Sequence, residues 1–242
     1  MRFSDKAIVL QAVRHGDRQS IVKLYTRGHG FFTVIASPSR SSGAKIRQSS
    51  LMPLTLLDIV ATLRQNRELH RLSEASCYYV HDNLGSSIVK LGIAQFINEL
   101  LLKTLREQQG NVPLFDFVET TLTYLNDADR DFVNTHLYFL RELSVYLGFE
   151  PHNNCSSGTP FFDCREGAFS GMALPFPLGL PGPDSALFSR SLRSNLLREE
   201  ISRQERQLLL EAWLAYYALH VPGFGEMRSL DVLREISEAM RS

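Results

Sequence analysis

The sequence predicts an α+β protein in which an N-terminal β-barrel is followed by a helical part. Short β-branched stretches fill residues 6–74, apolar residues recur at helical spacing from residue 85 onward, and residues 150–187 are rich in proline and glycine. Of the 242 residues, 44% are hydrophobic and 21% are charged. This is the composition of a folded globular protein, and its apolar runs are shorter than the ~18 residues of a membrane-spanning helix.

Five stretches of the first part are predicted as strands, because they carry Val, Ile and aromatic residues in short runs that end at polar residues and glycines. They are residues 6–13, 20–26, 31–36, 54–63 and 67–74. The two glycines between the second and third stretches indicate a hairpin. Five short strands cannot cover their apolar face while they lie flat, so we expect a small closed or partly open barrel.

The second part is predicted to be helical, with one irregular insertion. The helices cover residues 85–107, a segment that starts at 111–113 and runs to about 125, residues 131–147, a segment after a capping box at Ser202 and Glu205, and a short segment from Ser229. Residues from about 150 to 187 contain six prolines and five glycines, so nothing longer than a short hairpin is expected there. We therefore divide the chain into residues 1–80 and residues 81–242.

The formal net charge of zero hides two segments of opposite sign. Residues 1–72 contain twelve Lys and Arg against four Asp and Glu, a net charge of +8. The remaining residues contain 14 basic and 22 acidic side chains, a net charge of −8. The basic, β-patterned segment is the natural place for a polyanion, and nucleic acid is the favoured partner. The alternative is a basic segment that docks on its own acidic partner.

The turns and one face of a five-stranded barrel are where such folds take single-stranded nucleic acid, with cations on the phosphates and aromatic rings under the bases. The predicted DNA-binding residues are Arg14, Arg18, Lys23, Tyr25, Arg27, Arg40, Lys45 and Arg47. One of the neighbouring Phe31 and Phe32 must lie in the core, because successive strand residues face opposite sides. For Arg64, Arg67 and Arg71 a solvated surface charge is the favoured interpretation.

Catalytic motifs for phosphate-loop, esterase or zinc-protease chemistry are absent from the sequence, and an enzyme is not expected. His152, Cys155 and Cys164 share the insertion and could form part of a zinc site. The paired Cys-x-x-Cys spacing is missing, so we favour unligated thiols and expect no cofactor. Three cysteines suit a reducing compartment. With no signal-peptide pattern at the start, this predicts the bacterial cytoplasm.

The chain resembles the RecO family of bacterial recombination and repair mediators. The resemblance lies in an ordered set of stretches that covers nearly the whole chain. They are AIVL at residues 7–10, QSIVKLYTRGHGFF at 19–32, LMPL at 51–54, NELL at 98–101, FLRELSVYLGFEP at 139–151 and HVPGFGEMRSL at 220–230.

The resemblance implies an N-terminal OB-fold barrel and a helical domain with a zinc-finger-like insertion. The four-cysteine pattern of the zinc-bearing members is reduced here to Cys155 and Cys164, so we expect the metal to have been lost. The implied function is to bind single- and double-stranded DNA, to anneal complementary strands and to help RecA replace single-strand-binding protein. RecR is the expected partner, RecF and RecA act in the same pathway, and the site of action is the cytoplasmic nucleoid.

Family members also bind the acidic, apolar C-terminal tail of single-strand-binding protein on the helical domain. Lys103, Arg106 and Arg141 are candidates for its carboxylate by position alone, and a surface salt bridge is the favoured alternative for each. Two other classes stay open: a general OB-fold nucleic-acid-binding module outside recombination, and a scaffold whose basic barrel docks a protein.

Overall fold

The computed structural model describes residues 1–41, 43–64, 69–105 and 109–230. The chain divides into two compact units, Met1–Asp127 and Ala128–Ser242. The start of the predicted strand at 67–74 and most of the predicted last helix lie outside the described residues.

Five strands of the first unit form a closed barrel in the order β1–β2–β3–β5–β4, which confirms the predicted barrel. The strands are β1 Arg2–His15, β2 Gln19–Thr26, β3 Gly30–Ala36, β4 Leu56–Thr62 and β5 His70–Tyr79. A register shift between Val9 and Gln11 bends β1, so that one strand pairs with both β2 and β4. The parallel pairing of β3 with β5, at Val34–His70 and Ile35–Arg71, closes the barrel.

Apolar side chains, which alternate with polar ones along the strands, fill the inside of the barrel. In β3 every second residue is buried, including Phe32, Val34 and Ala36. Phe32 is therefore a core residue and Phe31 lies on the outer side, as the strand pattern predicted. The outward face and the turns are left to carry the polar and basic side chains.

In the described part of the first unit, two α-helices follow the strands: α1 Ile88–Thr104 and α2 Val112–Asp127. The Ser87 side chain caps α1 by accepting from the Lys90 N–H. The Phe115 ring of α2 lies 6.0 Å from the Tyr25 ring of β2, and Lys6 of β1 forms an ion pair with Glu119 of α2. The compact unit therefore extends to Asp127. The division predicted from the sequence lies earlier, after residue 80, where the strands end.

Asn126 stabilises the connection from the barrel to α1. Its buried side-chain Oδ1 accepts hydrogen bonds from the N–H groups of Asn83 and Leu84, at 3.0 and 3.1 Å. We expect Asn126→Ala to lower the free energy of unfolding by about 1–3 kcal/mol, because two backbone donors lose their acceptor. Urea denaturation of the full chain measures this loss. Asn195→Ala, at an exposed position, is the control and should change stability by less than about 0.5 kcal/mol; equal losses would contradict the assignment.

Up to residue 220, the second unit contains three helices and a small hairpin. They are α3 Thr135–Leu147, β6 Phe161–Asp163, β7 Ala168–Ser170, α4 Gly182–Arg193 and α5 Arg203–His220. Gly148 ends α3 in the left-handed conformation, with φ of 80°. The predicted capping box of Ser202 and Glu205 is present at the start of α5. An aromatic core joins the hairpin to α4 and α5, where the Phe162 and Phe188 rings lie 4.6 Å apart.

Two predicted boundaries in this unit are wrong. Helix α4 begins at Gly182, inside the segment predicted as irregular, because the proline after Gly182 lies in the first turn of the helix, where a missing N–H costs little. Helix α3 begins at Thr135 and not at residue 131, because Asp131 adopts a left-handed conformation with φ of 62° that a helix cannot contain.

Candidate nucleic-acid interface

Three of the predicted arginines come together at one end of the barrel. Arg14 and Arg18 flank the turn from β1 to β2, and Arg40 lies in the loop after β3. They line a cleft of about 380 Å³ with polar neighbours. We call this the arginine cleft; its other lining residues are Asp17, Gln19, Ser20, Pro38, Ser39 and Gln48.

Backbone hydrogen bonds hold the loop that carries Arg40 against the barrel. The Ser39 N–H donates to the Ile46 carbonyl at 3.0 Å, and the Gln48 N–H donates to the Ser39 carbonyl at 3.2 Å. The Ala75 N–H of β5 donates to the Lys45 carbonyl at 2.9 Å. The loop after β3 therefore has a defined path that is attached to β5, which explains why residues distant in sequence line one cleft.

The three arginines of the cleft are exposed and have no ion pair with any residue in the described ranges. Asp17 is the acid that lines the same cleft, so the local charge is positive. Guanidinium groups in this arrangement bind phosphate oxygens with several donors each. Gln19, Ser39 and Gln48 add neutral hydrogen-bonding groups to the cleft, and the sequence analysis did not select them. The polar composition of the loop 37–45 could have indicated Ser39.

Lys45 and Arg47 lie beside this cleft and not in it. Arg47 lines a neighbouring cleft that also contains Ser39, Arg40 and Gln48. The Lys45 ammonium lies 3.0 Å from a Glu74 carboxylate oxygen, which also accepts from Arg2 at 3.1 Å. The hydrogen bond from Lys45, with the positive charges of Lys45 and Arg2, lowers the pKa of Glu74. Lys45 is exposed and Glu74 is partly exposed, so a phosphate can compete for Lys45.

Three other predicted DNA-binding residues lie away from the arginine cleft. The predicted stacking role of Tyr25 is wrong, because α2 covers this part of β2 and leaves Tyr25 fully buried; burial raises the pKa of its hydroxyl. Arg27 donates to both oxygens of Asp116, at 2.8 and 3.0 Å. Lys23 is half-buried on the outward face of β2, between Gln11 and Thr33 of the neighbouring strands.

Comparison with known proteins accounts for both parts of the chain. Residues 1–80 match the family model described as recombination protein O N terminal, and residues 85–230 match the one described as recombination protein O C terminal. The chain belongs to the RecO family. No helix within the described ranges is long and apolar enough to cross a membrane.

Curated RecO proteins are similar to the chain over its whole length. The DNA repair protein RecO of Phocaeicola vulgatus is 32% identical over 232 residues, which cover 95% of this chain and 96% of that protein. The protein of the same name in Flavobacterium psychrophilum is 32% identical over 98% of this chain and 99% of that protein. The Porphyromonas gingivalis protein is also 32% identical, over 96% and 98% respectively.

Two of the three candidates for tail binding in this RecO-family chain, Lys103 and Arg141, are held by other groups. Lys103 lies 3.8 Å from Glu99 on the same face of α1. Arg141 donates to the carbonyls of Ser191 and Ser194, at 3.0 and 2.8 Å, and so fixes the end of α4. Arg106 lies outside the described residues.

The three candidate zinc ligands of the insertion differ in exposure: His152 is exposed, Cys155 is half-buried and Cys164 is buried. Cys164 is fully buried, and burial raises the pKa of its thiol to about 12, which opposes the thiolate that zinc needs. In the ranges that the structure describes, no three His, Cys, Asp or Glu side chains are placed to hold a metal ion. Asn154 instead pairs with Phe169, accepting from its N–H at 2.8 Å and donating to its carbonyl at 2.9 Å.

Proposed function

We propose that this RecO-family protein is a recombination and repair mediator that binds DNA through the arginine cleft and brings complementary strands together. It would act on single- and double-stranded DNA and help RecA to replace single-strand-binding protein. The observation that carries the DNA-binding part is the convergence of Arg14, Arg18 and Arg40 on one cleft of a closed five-stranded barrel.

The mechanism needs no covalent chemistry. Two DNA strands repel each other through their phosphates, and a cationic surface that binds both lowers this repulsion. Each phosphate that an arginine neutralises releases condensed counterions, so binding is driven by the entropy of the released ions and weakens as salt is added. Annealing then follows from the raised local concentration of the two strands. On this account the protein is not an enzyme.

A mediator also needs protein partners. RecR is the expected binding partner, the C-terminal tail of single-strand-binding protein a second one, and RecF and RecA act with the protein in the bacterial cytoplasm. The acidic excess of residues 73–242 supports a division of work in which the basic barrel binds DNA and the rest of the chain favours proteins.

A fluorescence-anisotropy titration of the full chain with labelled single- and double-stranded oligonucleotides tests the proposal. The expected result is saturable binding whose log Kobs falls linearly with log salt, with faster annealing of complementary oligonucleotides in the same range of protein concentration. A folded chain that binds neither DNA at low salt would contradict the proposal and would favour a protein-docking scaffold. DNA binding without capture of RecR or of the tail of single-strand-binding protein would favour a general nucleic-acid-binding module.

We also propose that hydrogen bonds and aromatic packing stabilise the fold of the insertion without a metal ion. Removing metal with a strong zinc chelator should therefore leave the melting temperature within about 1 °C of the untreated value, since a structural zinc site contributes several kcal/mol. Asn154→Ala should lower the melting temperature instead, because it removes both bonds to Phe169. Elemental analysis that finds one zinc per chain, lost on chelation together with stability, would contradict this assignment.

A further inference from the structure

The insertion carries an exposed apolar segment without a charged side chain. Residues 171–183, GMALPFPLGLPGP, consist of glycine, proline and apolar residues alone. We call residues 172–178 the apolar loop. Met172 is 62% exposed, Phe176 55% and Leu178 37%. Single exposed apolar residues are common on protein surfaces, but a contiguous exposed apolar patch marks an interaction surface.

Hydrogen bonds to the hairpin hold the apolar loop in place. The Leu180 N–H donates to the Phe162 carbonyl of β6 at 3.0 Å. The Cys164 N–H, which follows β6, donates to the Leu178 carbonyl at 2.9 Å. Within the loop, the Leu178 N–H donates to the Pro175 carbonyl at 2.9 Å. Because the backbone of the loop is already held, a partner does not have to order it, and less conformational entropy is lost on binding.

The apolar loop is suited to contact an identical loop. In a contact with two-fold symmetry the same patch lies on both sides, so a charged residue at its centre faces a like charge. The apolar loop contains no charged residue, and Asp163 and Arg165 of the neighbouring hairpin neutralise each other at 2.9 Å. The formal net charge of the chain is also zero, so two copies do not repel each other at long range. The lack of charge therefore favours a second copy of the chain over a partner that is selected by charge.

We propose that two copies of this chain form a homodimer through the apolar loop, with Met172, Phe176 and Leu178 of each copy buried in the contact. The seven loop residues of each copy are fewer than the roughly 20–30 residues of a standard interface. We therefore expect a reversible dimer with a dissociation constant in the micromolar range.

A dimer has a consequence for annealing, and this consequence rests on the proposed DNA-binding function. Each copy contributes one barrel with its arginine cleft, so a dimer can hold two DNA strands at once. Two complementary strands held on one particle have a raised local concentration with respect to each other. The dimer should therefore anneal them faster than the monomer does.

Sedimentation velocity of the full chain without DNA tests the dimer, at protein concentrations from about 1 to about 100 μM. The average mass should rise from 27.4 kDa toward twice that value. The loop variant, Met172→Ser with Phe176→Ser, should raise the dissociation constant of the dimer at least about tenfold, because it removes apolar surface that the contact buries. The matched control is Ile88→Ser with Val112→Ser, which replaces residues of the first unit that are 65% and 38% exposed and should leave the dissociation constant unchanged.

Three results would overturn the inference. A mass of 27.4 kDa at every concentration would exclude the dimer. A dimer that is as stable in the loop variant as in the unmodified chain would place the contact on another surface. The third result is a loop variant that melts more than about 2 °C below the unmodified chain at about 1 μM, where the monomer dominates; the loop would then pack on its own chain.

The annealing rate of complementary oligonucleotides tests the consequence for DNA. At a protein concentration at which the unmodified chain is dimeric, the loop variant should anneal the strands severalfold more slowly. Its affinity for one labelled strand and its salt dependence should match those of the unmodified chain, because the arginine cleft is intact. Equal annealing rates for the monomeric variant and the dimer would overturn the link between dimer and annealing. Failure of the unmodified chain to bind DNA would instead overturn the proposed function, while the mass measurement would still decide on the dimer.

Discussion

Replacing Arg14, Arg18 and Arg40 together by alanine should reduce the slope of log Kobs against log salt for single-stranded DNA by about 2. Each phosphate contact contributes about 0.7 to this slope for a single strand, and the variant removes three cations that face one cleft. At low salt, where the released counterions contribute most, the affinity should fall at least about tenfold. Fluorescence anisotropy over a salt series measures both effects.

The same charge can be removed elsewhere as a control. Arg71, Arg130 and Arg198 are exposed and do not line the arginine cleft, so their triple-alanine variant has the same net charge as the cleft variant. If DNA binds in the arginine cleft, this control variant should show the same slope of log Kobs against log salt as the unmodified protein. If both variants lose slope equally, the protein attracts DNA through its overall charge, and the arginine cleft is not the binding site.

The structure also changes which residues such an experiment should target. The sequence placed Arg27 with the DNA-binding residues because it lies in the turn after β2, and Tyr25 because an aromatic ring on the barrel could stack on a base. The structure puts α2 over this end of β2, where Asp116 binds Arg27 and Phe115 packs against Tyr25. Strand periodicity gives the face on which a side chain lies. It carries no information on which helix, almost 90 residues further along the chain, will cover that face.

Local patterns predicted the elements better than their packing. The five strands follow from short runs of Val, Ile and aromatic residues, and the start of α5 follows from the capping box at Ser202. The arginine cleft was predicted in part, because turns on one end of a barrel converge.

Lowering the pH from 7 to 5 should destabilise the chain by about 2 kcal/mol through His136 alone. His136 is buried in α3, and burial, with the nearby positive charge of Arg206, lowers its pKa from 6.5 to about 3. Above pH 6.5 the ring is neutral in both the folded and the unfolded chain, so the full stability is present. Below pH 6.5 the unfolded chain takes up the proton first, and stability falls until the pH reaches the folded pKa near 3.

His136→Gln separates this effect from the other titrating groups. The fold lowers the pKa of Glu205 to about 2, but this carboxyl loses its stabilising effect only as the pH falls below about 4.5, outside the window. His70 and His81, whose pKa values are also lowered by burial, remain in the variant. Urea denaturation at pH 7, 6 and 5 should therefore show a shallower loss for His136→Gln than for the unmodified chain, whatever its stability at pH 7. The exposed His152 supplies the control, His152→Gln, which should follow the unmodified chain; a steep loss that persists in His136→Gln would assign the acid sensitivity to other groups.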